Sequence, residues 1–367
     1  MTTPRHTSTA GRARPATQRG VGLIEVMVSM LVGVIMVIGA VNVYSSVSKN
    51  YTTHEQSAAL EEAGRYVISV LEPDVRMAGY WGLTKGAVSI SGGSSQLTGT
   101  TNATGTYGTA VSMCGLNFAV DLQTAVEGSN DGYLPNAGAG CTAKTTPMPT
   151  ADTLTVRHAS VAATAVTGTG PLYICSTTVA AQLTNNSTGC TPQPVLTPTG
   201  ATVNAGVYDL VVNTYYVNKD SNTVNGLPTL YRQTLTNTSA APPSIVNTEI
   251  LAGVEDLQVQ FGIDPTGTTG VASQYVDAQT AMQLSQGLAT STAQIVAVRI
   301  WVLLRSDTPE PGFVDNRIYQ YANRSFAAGV VSSLKLAGAA GKAYAPNDNY
   351  RRLLVTRTVM LRNALGT

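Results

Sequence analysis

Residues 26–48 carry no charge and are mostly apolar; beyond them a stripe begins in which Leu60, Ala63, Val67, Val70, Leu71 and Val75 recur at steps of mainly three and four. The first pattern predicts a helix that is apolar all round. The second predicts an amphipathic continuation, with Glu55, Glu61, Glu62, Arg65 and Glu72 on its other faces. At the helical rise the uncharged stretch spans about 35 Å, enough to cross a hydrocarbon core of about 30 Å. Pro73 and the breakers Gly79 and Gly82 predict that the helix stops by residue 79. Beyond it the period falls to two. Residues 152–160 alternate Leu154, Val156 and His158 against Thr153, Thr155 and Arg157. Residues 208–217 and 229–236 flank an Asn225-Gly226 turn signal, which predicts a hairpin. Residues 249–263, 295–305 and 351–361 are further β-rich runs, and no alternation with helices would build a parallel sheet. The expected fold class is therefore α+β, a long N-terminal helix packed on a large antiparallel β-sheet head. The Gly/Ser/Thr-rich stretches 89–110 and 161–206 read as loops or irregular edge strands.

The residues before the helix set its direction. Arg5, Arg12, Arg14 and Arg19, with no acidic residue and with Pro4 and Pro15 among them, form a basic leader that stays on the cytoplasmic side. The helix then enters the membrane N-terminus first, carrying one carboxylate, Glu25, into its near end. Ionised side chains cost about 2.5 to 3.5 kcal/mol in a bilayer even on lenient scales, so Glu25 needs a partner or a purpose. A secretory peptidase would instead cut after the apolar run, where Gly39-Ala40 and Ser45-Ser46 offer a poor match.

A basic leader ending in Gly20, the pentapeptide Val21-Gly22-Leu23-Ile24-Glu25 and an uninterrupted apolar helix resemble the prepilin signal of type IV pilins and type II secretion pseudopilins. The resemblance implies cleavage between Gly20 and Val21, methylation of the Val21 amine by the same prepilin peptidase, and Glu25 as the fifth mature residue. The family's first mature residue is usually Phe, where this chain has Val21, and the Pro that kinks the early helix of major pilins is missing before Pro73. That points to a minor pilin. The segments 74–82 (DVRMAGYWG), 226–232 (GLPTLYR), 253–262 (GVEDLQVQFG) and 296–305 (VAVRIWVLLR), with Arg351-Arg352-Leu353-Leu354 and Leu361-Arg362-Asn363, resemble the PilW group of minor pilins in the same order. Three segments are then expected: a cleaved leader at 1–20, the pilin helix at 21–79 with its transmembrane part at about 21–45, and a periplasmic or extracellular head at 80–367.

Composition adds little and excludes much. Charged residues are 12 % of the chain and the formal net charge is +1. Loss of the four leader arginines leaves 18 basic against 21 acidic residues, so no nucleic-acid surface is implied. The 347 residues after the leader are enough for a head with its own core. Cys114, Cys141, Cys175 and Cys190 all lie in the head, and an oxidising compartment fits two bridges, of which three pairings exist. The expected pairing is 114 with 141 and 175 with 190, closing loops of 27 and 15 residues. Each is worth about 3 kcal/mol in the chain-entropy account. Zinc is disfavoured, because no C-x-x-C is present and His158 is the head's one histidine.

No catalytic constellation emerges. His6 belongs to the leader, His54 to an exposed helix face and His158 to a strand, where a satisfied structural role is expected. Glu255 and Asp256, adjacent on a strand, point to opposite faces and make a poor acid/base pair. Residues 220–231 resemble a calcium loop weakly, with Tyr231 where the last carboxylate would stand, so a hairpin turn is the reading. Tyr80 and Trp81 are read as core. No enzyme activity, cofactor or metal is expected. By resemblance the partners are the prepilin peptidase, other minor pilins of the PilV, PilX and FimU types, a tip adhesin, the major pilin and the inner membrane. The chain would move from that membrane into a cell-surface pilus, serving assembly and thereby twitching motility, adhesion or DNA uptake. The alternatives are a type II secretion pseudopilin and a membrane-anchored adhesin outside any filament.

Overall fold

The structure, a computed structural model, describes residues 20, 22–92, 114, 118–133, 135, 141–164, 169–186, 190, 205–236, 244–278, 292–322 and 347–363. The leader up to Arg19, Val21 and much of the two Gly/Ser/Thr-rich stretches lie outside these residues. The chain divides into two units, Met1–Glu55 and Gln56–Thr367. Helix α1, Leu23–Met77, begins in the first and ends in the second. The strands follow as β1 (Ile90–Ser91), β2 (Val126–Ser129), β3 (Thr153–Ala159), β4 (Thr169–Ser176), β5 (Ala181–Asn186) and β6 (Gly206–Asn218). After them come β7 (Thr229–Thr236), β8 (Ser244–Ala252), β9 (Val254–Asp264), β10 (Gln274–Asp277), β11 (Gln294–Arg305) and β12 (Arg352–Met360).

Two sheets result. The larger has the order β1-β5-β4-β6-β3-β2, and β7 pairs with both β6 and β8; the smaller has the order β10-β9-β11-β12. Every pairing is antiparallel except the two-residue β1–β5 contact. In the second unit the helix buries Leu60, Gly64, Val67, Leu71 and Val75, the face its three- and four-residue spacing predicts. Leu60, Val67, Leu71 and Val75 share one core with Leu154, Val156 and Tyr215 of the larger sheet and with Leu257, Phe261, Ile300 and Leu304 of the smaller. Full burial of each such aliphatic group is worth about 1.5 to 3 kcal/mol. A second core gathers Trp81, which is 2 % exposed, with Phe118, Leu172, Ile174 and Val212. The core reading of Trp81 therefore holds. Asp152 ties the sheets together: its backbone N–H donates to Leu257 O at 2.8 Å, and its carboxylate accepts from Val259 N at 2.8 Å. Disulfides join Cys114 to Cys141 and Cys175 to Cys190.

Three expectations need correction, and one is borne out. The run 249–263 is two strands in different sheets, turned at Gly253, whose φ of 83° and whose absent Cβ, which would lie 2.8 Å from Arg305 O, both require glycine. β3 has no solvated face: all seven residues are buried, because β2 and β6 flank it and side chains cover both its faces. The stretch 161–206 contains β4, held between β5 and β6, and Leu172, Tyr173, Ile174 and Cys175 are buried there, so it is not all loop or edge. The predicted β6–β7 hairpin forms, but ten residues separate its last pair, Asn218 and Thr229. Gly226 N donates to the Asp220 carboxylate at 2.7 Å within that connection.

At the end of β9, Asp264 organises the loop that follows it. Its carboxylate accepts from Thr266 N at 3.0 Å, from Thr269 N and Gly270 N at 2.8 Å, and from the hydroxyls of Thr266 and Thr269 at 2.8 Å. Burial alone would raise this carboxyl, but the converging donors outweigh it and hold it well below the usual carboxylate range. A depressed folded value stabilises the fold above the unfolded value of about 3.9, and the contribution is lost as pH falls. Asp264→Asn should therefore be less stable than the parent at pH 7, with the gap closing between about pH 5 and pH 2. Urea midpoints across that range check it; a gap independent of pH would contradict it.

Candidate assembly interface

The N-terminal turn is built by Gly22, whose carbonyl accepts from Glu25 N at 2.9 Å and Val26 N at 3.2 Å. Leu23 opens the helix, and Glu25 is the acidic residue of its first turn. A carboxylate there complements the positive end of the helix dipole, worth about 0.3 to 1 kcal/mol. Ser29 Oγ donates to the Glu25 backbone carbonyl at 2.6 Å, and Glu25 itself is exposed, its carboxylate without an ion-pair partner among the described residues. Gly20 and Gly22 are exposed, and no described side chain or backbone atom beyond their chain neighbours lies within 4 Å of where a Cβ would stand. Leu23 and Ile24 are each 79 % exposed, and the most apolar window of the helix is wholly unburied within the chain. The surface is long and apolar enough to cross a membrane or to pack against other helices.

At the far end the helix is bound to the head by polar groups. Asp74 sits in the last turn, where the negative dipole end disfavours a carboxylate. Donors offset this: His158 Nε2 at 2.9 Å, Asn213 Nδ2 at 3.0 and 3.1 Å, and the Tyr215 hydroxyl at 3.0 Å. Burial, then the Asp74 charge, raise the Tyr215 phenol above the ordinary tyrosine range, so it stays a donor. Glu72 takes both ends of the Arg357 guanidinium, at 2.6 and 2.9 Å, and this lowers its carboxyl. Gly79 N leaves the helix for Arg157 O at 3.1 Å, which ends α1.

His158 is thus a satisfied structural histidine, and His54 is exposed. Glu255 and Asp256 lie apart in role as well as direction, Glu255 binding Arg352 and Asp256 accepting from the Tyr321 hydroxyl. No group of three or more metal-ligating side chains occurs among the described residues. The Asp74 network and the buried Arg157 and Arg352 ion pairs escape a reading of the sequence alone. The available signal for Asp74 was a carboxylate at the wrong end of a helix.

Comparison with known proteins agrees with this geometry. The family model described as Type IV Pilus-assembly protein W matches residues 214–363, and that of the Prokaryotic N-terminal methylation motif matches residues 15–41. No curated protein matches the chain. Among solved structures, the type IV-like pilin TTHA1219 from Thermus thermophilus is 17 % identical, covering 60 % of this chain and 82 % of that one with a TM-score of 0.25. A methylation motif, a long apolar helix and a β-rich head define a type IV pilin-like protein. Residues 214–363 match the PilW pilus-assembly family model, and with the methylation motif this supports a type IV pilus minor pilin of the PilW kind.

Proposed function

We propose that this protein is a minor pilin that helps initiate type IV pili and is incorporated near their tip. The carrying observation is Glu25, the lone charge in residues 23–48, the exposed apolar first part of α1, inside a prepilin methylation motif. Cleavage after Gly20 frees a positive amine at Val21. As subunits slide out of the bilayer, the Glu25 carboxylate pairs with the amine of a neighbouring subunit, which fixes axial register more than it adds stability. A subunit at the extreme end would have no neighbour to neutralise, so a chain that keeps Glu25 fits a place just beneath the tip. Its partners are the prepilin peptidase, other minor pilins of the PilV, PilX and FimU types, a tip adhesin and the major pilin. The N-terminus is cytoplasmic and the span single, and the head is carried to the cell surface. Twitching motility, adhesion or DNA uptake belong to the fibre, and no chemistry is performed here.

Mass spectrometry of sheared pili tests this. The mature chain should begin at a methylated Val21; a chain that begins at Met1, or is missing from pili, defeats the proposal. Gly20→Asp should leave the protein at precursor size on an immunoblot, because a charged side chain then stands where the junction has none. Normal processing of that variant would move the cleavage site elsewhere.

A further inference from the structure

We infer that the free edge of β12, with the groove between it and α1, receives an extended strand from the head of a different pilin subunit. β12 is the outermost strand of the smaller sheet and pairs over nine residues with β11 alone among the described residues. The opposite edge strand, β10, has four residues. Sheet edges are normally protected by Pro, Lys, bulges or extreme shortness. β12 has neither Pro nor Lys, and its pairing to β11 runs without a register shift, whereas the β11–β9 pairing shifts twice. Its arginines are engaged elsewhere, Arg352 with Glu255 and Arg357 with Glu72. Thr356, Arg357 and Thr358 are exposed.

Beside this edge lies a groove of about 640 Å³, with Ile68, Leu353 and Val355 among its walls and Glu61 and Arg65 along α1. The helix comes close here because Gly64 has no side chain; a Cβ would meet Val355 Cγ2 at 2.9 Å. Unpaired backbone groups along the edge select an extended segment rather than a helix, and the apolar wall selects alternate apolar side chains. Glu61 and Arg65, one helical turn apart, are ion-paired with no described residue, so the incoming strand should offer a base to one and an acid to the other. β12 itself has two arginines and no carboxylate, so the β12 edge of a second copy cannot answer Arg65. The charge pattern excludes a β12-to-β12 pairing of two copies, and the occupant of this proposal is a strand of a different head that carries both an acid and a base. This deepens the proposed function and rests on it.

The test uses the full chain in cells that make pili. A photo-crosslinking amino acid at position 358 should give adducts with another pilin at least several-fold above the same residue at position 246, an exposed site on β8. Thr356→Lys combined with Thr358→Lys should lower both adducts and recovery in sheared pili about tenfold, with the Cys175–Cys190 bond and protease resistance intact. Equal labelling at the two positions, adducts only with a second copy, or full recovery of a folded lysine variant would overturn the inference. If the lysine variant does not fold, crosslinking in the otherwise native chain decides. A chain present in pili but silent at 358 sinks the edge alone; a chain missing from pili sinks the pilus reading with it.

Discussion

Glu25→Ala should insert into the membrane and be processed like the parent, yet be lost from sheared pili. Insertion does not need the carboxylate, since the span 26–48 is apolar without it and alanine is cheaper to desolvate. The proposed processing site is the Gly20–Val21 junction, away from this side chain, and the first helical turn is held by backbone bonds from Glu25 and Val26 to Gly22, which alanine keeps. What disappears is the only anionic group of the segment that a neighbour's amine can meet. Among helices without water, an amine left alone costs about 3 to 5 kcal/mol, whereas the intact pair roughly breaks even. A penalty of that size lowers incorporation by a factor of at least about a hundred at equilibrium. Immunoblots of membranes and of sheared fibres, compared at matched expression, measure it. Glu25→Asp separates charge from reach: it keeps the charge on a shorter arm and should recover part of the incorporation. Undiminished incorporation of Glu25→Ala would remove the pairing from the mechanism, although the family assignment would stand.

The helix and its end were readable because they depend on local patterns. Three- and four-residue spacing named the buried face from Leu60 to Val75, and Gly79 lies two residues beyond the observed last helical residue, Met77. The β11 and β12 strands were readable for the same reason, being long β-branched and apolar runs bounded by charge. What could not be read is where long-range contacts override the local pattern. β3 alternates in sequence, but Arg157, on the nominally polar side, is fully buried, donating to Phe118 O and Thr124 O at 2.8 Å and to Glu127 Oε2 at 2.7 Å. Those partners lie 30 to 39 positions away and no periodicity reports them. Gly253 is a single residue inside a long apolar run, and it redirects the chain from one sheet to the other only because Arg305 O stands beside it. The methylation motif at residues 15–41 is linear and so was legible, whereas the β12 edge exists only once the sheet order is known.

Arg352→Met should be the most damaging single change in the head. The Arg352 side chain has no solvent exposure and binds Glu255 through Nε and through Nη2 at 3.0 Å. It also reaches Asp348 at 2.6 and 2.8 Å and stands 3.5 Å from Asp315, itself fully buried and accepting from the Tyr319 hydroxyl at 3.0 Å. Three carboxylates from β9 and from the segments 306–321 and 347–351 thus converge on one guanidinium. Methionine fits the volume of the stem but leaves those carboxylates facing one another in a dry site. Arg305 stands 3.9 Å from Glu255 and the half-exposed Arg317 stands 3.6 Å from Asp315, and neither replaces the two-pronged contacts. Removing one partner of a buried ion pair costs about 3 to 5 kcal/mol, a large share of the stability of a typical domain. Arg357→Met is the matched control, because its pair with Glu72 is half exposed and should be worth no more than about 1 kcal/mol. Arg352→Lys should fall between, keeping charge and losing the fork. Urea midpoints of the three variants at pH 7 give the comparison, and equal losses for Arg352→Met and Arg357→Met would show that burial does not set the strength of these pairs.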